Sequence, residues 1–128
     1  MFLLDTCTLS DYLKGDFNTV QRLKQEQPNN ISISSITVFE IDYGLKLKPS
    51  LQKIINPQLQ AIYSKTKILE FSHDAAYQAS LIRKNLKQAG TPIGAYDLLI
   101  GAIAVSNNLT LVTSNIQEFK RIEHLNLE

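Results

Sequence analysis

Gly90-Thr91-Pro92-Ile93-Gly94-Ala95-Tyr96-Asp97-Leu98-Leu99-Ile100-Gly101-Ala102-Ile103-Ala104-Val105-Ser106 is followed, after Asn107-Asn108, by Leu109-Thr110-Leu111-Val112-Thr113-Ser114-Asn115. Between Lys87 and Glu118 the only charged residue is Asp97. It heads a run that is apolar almost all the way round a helix, which predicts a buried helix. The segment Leu109–Val112 is apolar in the manner of a strand covered on both faces. A carboxylate entering a core is costly unless it is paired, hydrogen-bonded or bound to a metal. No Lys or Arg stands near Asp97 in sequence. The reading of the chain therefore turns on what else comes to meet it.

Working outward, strands alternate with helices. Met1–Leu4 reads as a strand ended by Asp5 and Thr6, and Thr8–Lys14 as a brief helix with Leu9 and Leu13 at i, i+4, stopped by Gly15. Asp16 or Asn18 caps a second helix to about Gln27, and Pro28-Asn29-Asn30 is a turn. Ile31–Ser34 is a second strand, followed by a helix from Ser35 to about Lys46 whose inward face would carry Ile36, Phe39, Glu40, Tyr43 and Leu47. A helix follows Pro49, with a possible bend at Pro57. Lys67–Phe71 is a third strand. Ser72 caps a helix from His73 to about Gln88, with Ala76, Ala79, Ile82 and Leu86 inward and Gly90 at its end. Glu118-Phe119 starts a turn, and Leu125–Leu127 is a last weak strand. The fold class is α/β: a short parallel sheet flanked by helices in three layers.

The bulk composition narrows function mainly by exclusion. A chain of 128 residues can bury a real core as one domain. Thirteen basic against twelve acidic residues give no gross excess to drive nucleic-acid binding. The single cysteine, Cys7, can form no internal disulfide, so a reducing cytoplasm is expected; Cys7 could be a reactive thiol, but is read first as a small buried residue. No leader is visible, and no apolar run approaches the ~18 residues of a membrane span.

In parallel α/β sheets, ligands bind beyond the carboxyl ends of the strands. Asp5 follows the first strand and Asn115 the strand after the Asp97 helix. Glu40 lies on the helix after the second strand, so Asp5, Glu40, Asp97 and Asn115 can converge on one sheet edge. Each has an ordinary structural explanation on its own: a helix cap for Asp5, a first-turn acid for Asp97, a surface helix residue for Glu40, turn chemistry for Asn115. Together, acids gathered without a base favour a hard divalent cation such as Mg²⁺ or Mn²⁺, which can activate water for phosphodiester hydrolysis. His73 and His124 lack metal-ligand spacing, and Gly90 and Gly94 lack the Lys-Ser/Thr of a phosphate loop. Lys46, Lys48 and Lys53 could follow an RNA backbone or simply form a solvated face.

Four segments in order resemble the PIN-domain ribonucleases, specifically the VapC toxins of type II VapBC toxin–antitoxin systems. They are Leu3-Leu4-Asp5-Thr6; Ser34-Ser35-Ile36-Thr37 through Glu40 and Tyr43-Gly44; Gly90–Gly94 with Asp97–Ile100; and Leu111–Asn115 with Glu118-Phe119. The resemblance implies a single PIN-like nuclease domain over residues 1–128. It implies Mg²⁺- or Mn²⁺-dependent endonuclease activity on RNA that inhibits translation and growth, a homodimer, and a cognate VapB antitoxin that inserts a segment into the active-site groove. Asp5, Glu40 and Asp97 match the acidic triad that holds the metal. Asn115 matches the fourth position, which Glu118 could fill instead. Cys7 stands where Asn is common, Asn115 is neutral, and the usual ending is absent. Two other classes remain open: a PIN-like binding module that acts through its partner protein, and an aspartate-nucleophile phosphatase of the haloacid dehalogenase type. The latter needs a second Asp where this chain has Cys7.

Overall fold

The first strand, β1 (Phe2–Leu4), is the centre of the sheet, and everything else is placed by its two neighbours. The structure is a computed structural model that describes residues 1–128. β2 (Ile31–Ser34) lies on one side of β1, with Leu4 opposite Ile33, and β4 (Thr110–Val112) on the other, with Leu4 opposite Val112. β3 (Lys67–Leu69) and β5 (Asn126–Leu127) complete an all-parallel sheet in the order β3-β2-β1-β4-β5. The chain builds outward on one side of β1 and then returns to the other. The β1/β4 boundary is thus the point where strand order reverses, and α/β sheets open their ligand crevice there.

Helices cover both faces, as the strand–helix alternation predicts. Alternation along the strands divides the core. Leu3 and Leu111 pack with α5 (His73–Ala89), α6 (Ala95–Ser106) and the C-terminal Phe119 and Ile122. Ile33 packs with Leu9 of α1 (Thr6–Leu13), Leu45 of α3 (Ser35–Lys46) and Leu59 of α4 (Pro49–Lys65). α6 buries Leu98, Ile100, Gly101, Ala102, Ile103 and Ala104, so the helix read as apolar all round is buried. Gly101 permits the closest approach: a Cβ built there would stand 2.6 Å from Ile122 Cδ1. α2 (Phe17–Leu23) and the short α7 (Ile116–Phe119) complete the set.

Polar side chains set several boundaries. Ser34 and Ser72 accept the N–H of Thr37 and Ala75 and so cap α3 and α5. Gly90 ends α5 in the left-handed conformation, φ 71°.

The structure corrects four readings. α1 begins at Thr6 rather than Thr8, because Asp5 is its cap. α3 is turned from the expected orientation: Thr37 and Leu45 are buried, whereas Phe39 and Tyr43 are 50% and 58% exposed and Leu47 is exposed too. Leu45 docks on Leu9, Ile33 and Leu59, and that contact fixes the rotation of the helix. Cys7 is exposed, because α1 turns Thr8 and Leu9 inward instead. In α5 the buried residue is Ala75 rather than Ala76. No helix is long and apolar enough to cross a membrane.

Candidate active site

Asp5 sits where β1 ends, with extended backbone (φ −79°, ψ 175°), and is 2% exposed. Its Oδ1 accepts the N–H of Thr8 at 2.8 Å, which is the N-cap bond of α1. Its Oδ2 accepts the hydroxyl of Thr113 at 2.5 Å. The Thr113 oxygen in turn accepts the N–H of Asn115 at 2.9 Å. The Asp5 N–H and the Thr8 hydroxyl both donate to the Val112 carbonyl, at 3.2 and 3.0 Å. The ends of β1 and β4 are thus laced together around one buried carboxylate. Every partner is a neutral donor, and both ion pairs of the molecule, Arg22–Glu26 and Arg22–Glu128, lie elsewhere.

Glu40, in the second turn of α3, is held by a chain of hydroxyls. The Thr6 hydroxyl donates to Glu40 Oε1 at 2.7 Å, Thr6 and Thr37 hydroxyls lie 3.1 Å apart, and the Ser34 hydroxyl donates to Thr37 at 3.3 Å. Since each hydroxyl has one proton, the chain runs Ser34→Thr37→Thr6→Glu40, and each bond polarises the next.

Asp97 opens α6 and is half-buried. Burial first, then the negative charges of Glu118, Asp5 and Glu40 and a hydrogen bond to Glu118, push its carboxyl from 3.8 up to about 6. Every charge acting on it is anionic. Glu118 does a different job. The residue at the α6 cap position is Gly94, which has no side chain to offer, and Glu118 Oε1 accepts the Gly94 N–H at 2.9 Å. Its Oε2 accepts the amide of Asn115 at 3.0 Å. These two bonds lead the causes that hold Glu118 below the usual carboxylate range. Arg121 donates to the Pro92 carbonyl at 3.1 Å, so α7 and the residues after it fasten the 92–94 loop in two places.

Cys7 lies beside this cluster. Partial burial of its thiol, then the charges of Asp5, Asp97, Asp11 and Glu40, push the thiol up, although the residue as a whole is exposed. A thiol kept protonated is a poor nucleophile.

Asp5, Glu40 and Asp97 are therefore brought within charge–charge reach at the sheet's reversal point, and Asn115 meets the cluster through Thr113 and Glu118. No three His, Cys, Asp or Glu side chains surround a single point at coordinating distance. The donor chemistry nonetheless fits a hard divalent cation: the oxygens are carboxylate, they repel one another, and a carboxylate oxygen that accepts one hydrogen bond keeps a second lone pair. The sequence reading passed over the roles of Thr6, Ser34, Thr37 and Thr113, although all four lie in the quoted segments. The signal, for two of them, was spacing: Thr6 directly follows Asp5, and Thr37 stands three before Glu40.

Comparison with known proteins gives the family. The PIN domain profile matches residues 2–125. The chain is 36% identical to Ribonuclease VapC2 of Rickettsia felis, over 100% of this chain and 96% of that protein. It is 32% identical to the tRNA(fMet)-specific endonuclease VapC of Salmonella typhimurium, over 99% and 96%. Among solved structures, VapBC2 from Rickettsia felis bound to a DNA fragment from its promoter aligns with TM-score 0.85 and 34% identity, covering 99% of this chain and 96% of that one.

Proposed function

The chain belongs to the PIN-domain family, and from that premise we propose that it is a VapC-type toxin, a Mg²⁺- or Mn²⁺-dependent endoribonuclease. Its role is to arrest translation and growth in the cytoplasm until a VapB-type antitoxin neutralises it. The observation that carries this reading is the meeting of Asp5, Glu40 and Asp97 at the reversal point of the sheet, with only anions acting on Asp97.

Asp5 and Asp97 would hold the ion, and Glu40 would ligate it or orient the attacking water. Asn115 would position a water or a phosphate oxygen. The bound cation supplies charge neutralisation and a more acidic water. The chain's own residues supply orientation. Thr8 N–H and Thr113 fix both Asp5 oxygens, and the hydroxyl chain ending at Thr6 fixes Glu40. Glu118 serves as the cap of α6 and so sets where Asp97 stands. Water attacks phosphorus in line as the bond to the 3′ oxygen breaks, leaving a 5′-phosphate and a 3′-hydroxyl. No histidine pair meets the site to support attack by the 2′-hydroxyl, since neither His73 nor His124 takes part in the contacts described.

A groove lined by Leu13, Leu47, Leu51 and Ile55 runs to Thr6, Cys7 and Glu40, with Lys14 and Lys48 on its walls. It suits an antitoxin segment that reaches the acids, as expected of a VapB partner. The test is cleavage of RNA by purified protein. The relative that acts on tRNA(fMet) makes that RNA the first substrate to assay. Cleavage should require Mg²⁺ or Mn²⁺, and Asp97→Asn should abolish it with the fold intact. Unchanged cleavage in Asp97→Asn would refute the assignment. Failure of either metal to support cleavage or raise the melting temperature would instead favour a binding module.

A further inference from the structure

We propose that the cationic groove between α5 and the first turn of α6 holds the single-stranded RNA next to the scissile bond, with Arg83 and Lys87 on its phosphates and Pro92 and Ile93 under a ribose or base. This rests on the endoribonuclease reading above and names a subsite which that reading leaves open. The groove has a volume of about 560 Å³, within the ~300–1,000 Å³ range of ligand clefts. Its floor includes the buried Leu86 and Leu98, and Arg83 and Lys87 stand exposed on its rim. No acid lines it.

The two cations are hard to explain by the fold alone. Both ion pairs of the molecule belong to Arg22, so neither Arg83 nor Lys87 has a carboxylate partner. They stand four apart on α5, where like charges repel and weaken a helix. The helix dipole accounts for Lys87 in the last turn, but its reach ends before Arg83. A chain with thirteen basic and twelve acidic residues thus leaves a local excess of positive charge here. Side chains at this spacing are ~5–6 Å apart at Cβ, and long stems let both heads reach neighbouring phosphates of one strand.

Position ties the groove to the acids. Pro92, Ile93 and Ala95 line it, and between them stands Gly94. A Cβ built on Gly94 would be 3.8 Å from Asp97 Oδ2 and 3.7 Å from Glu118 Oε1, so only a residue without a side chain separates groove from carboxylates. The loop that forms this wall is held, since Gly94 N–H donates to Glu118 and Arg121 donates to the Pro92 carbonyl. A polyanion approaching clustered acids is repelled unless cations beside them hold it. Cations over an apolar floor are the combination that binds single strands. On the Glu40 side, the groove suited to an antitoxin segment is the more apolar, and it carries Asp11 as well as Lys14 and Lys48.

Fluorescence anisotropy of a short labelled single-stranded RNA on the full chain, in chelator, tests this without cleavage. Arg83→Gln with Lys87→Gln should raise the dissociation constant at least ~tenfold, with unchanged circular dichroism and melting. The slope of log Kd against log salt should fall by about 1.4, at ~0.7 per phosphate contact on a single strand. Arg83→Lys with Lys87→Arg should keep binding, because a phosphate contact needs the charge. Lys24→Gln with Lys65→Gln, in a different cleft, should leave both quantities as in wild type. In Mg²⁺, KM for cleavage of the same RNA should rise in step with Kd. Wild type that does not bind the RNA would overturn the proposal, as would an unchanged salt slope in the Gln pair or an equal loss in the Lys24/Lys65 pair. Polyglutamate bound as tightly and through the same two cations would give the groove to an acidic protein segment instead. RNA held through the groove by a protein that cuts nothing in Mg²⁺ or Mn²⁺ would support the groove while refuting the catalytic reading.

Discussion

Removing the charge of Asp97 should stabilise the metal-free protein while destroying its response to metal. The carboxyl stands at about 6 rather than 3.8 because burial and three neighbouring acids oppose its charge. At ~1.4 kcal/mol per tenfold change in a binding constant, that climb corresponds to about 3 kcal/mol for a fully shielded group. Asp97 is half-exposed, so screening by water brings the figure to about 1–1.5 kcal/mol. The sign follows from linkage. The folded state binds the proton more tightly than the unfolded chain does. The stabilisation by protonated Asp97 is therefore fully present below about pH 4 and lost as pH rises through about 6. Asn mimics the protonated form at every pH. In a chelator at pH 7.5, Asp97→Asn should melt about 3–5 °C above wild type, since ~1 kcal/mol moves a chain of this size by that much. The gap should close as pH falls towards 4. Saturating Mn²⁺ reverses the order: a ligand at a hundredfold excess over its dissociation constant adds about 2.7 kcal/mol to the wild type and nothing to the variant. Differential scanning fluorimetry over pH, with chelator and with Mn²⁺, reads all of this. A variant that melts below wild type in chelator at pH 7.5 would refute the electrostatic reasoning. One that keeps the Mn²⁺ shift would refute the ligand assignment.

Four further outcomes follow from the same contacts. Thr113→Val strips a partner from both Asp5 Oδ2 and the Asn115 N–H; it should cost about 1–3 kcal/mol in urea denaturation and weaken Mn²⁺ binding in calorimetry. Thr6→Val frees Glu40 and leaves the buried Thr37 hydroxyl without its acceptor; it should cost about 1–3 kcal/mol in urea denaturation and lower kcat at least tenfold, with KM nearly unchanged, in steady-state cleavage of a labelled RNA. Leu111→Ala, at the fully buried middle of β4, should cost about 2–5 kcal/mol in the same denaturation assay without altering the metal requirement. Gly101→Val must displace Ile122, which is itself buried, and should lower stability by about 2–3 kcal/mol by thermal melting.

Much of this architecture was legible because it rests on local patterns. Asp97 stood out as the lone charge in an apolar run, and α6 is buried as such a run requires. Ile31–Ser34 is the strand its alternation described, and Ser72 and Gly90 bound α5 as their chemistry prescribes. The errors arose where periodicity alone left a choice. On α3, two stripes were apolar enough to face inward; Leu45 docks against Leu9, Ile33 and Leu59, and only that long-range contact decides between them. Cys7 was misjudged for the same reason, since α1 offers the core Thr8 and Leu9 and needs nothing more. The acids could be nominated from sequence, but not the roles of the groups around them. That Glu118 caps α6 while Asp97 is the strained acid depends on a hydrogen bond across twenty-four residues, to a glycine that cannot cap itself.

The choice of hydroxyls around the acids has a physical logic. Carboxylates crowded at one point need their rotamers fixed, and the strongest donors for that purpose would be Arg or Lys. A cation there would neutralise the cluster and remove its attraction for a divalent ion. Ser34, Thr37, Thr6 and Thr113 fix geometry with neutral dipoles and leave the negative charge in place. The protein then carries the repulsion as a standing cost whenever no cation is bound, visible in the raised carboxyl of Asp97. If the site takes the divalent ion proposed for it, binding energy from that ion would offset the cost, and affinity and instability of the metal-free form would rise together. A site of this kind cannot be improved for stability and for metal at once by changing the acids. The threonines are where the two demands can be separated, because they orient charge without altering its amount.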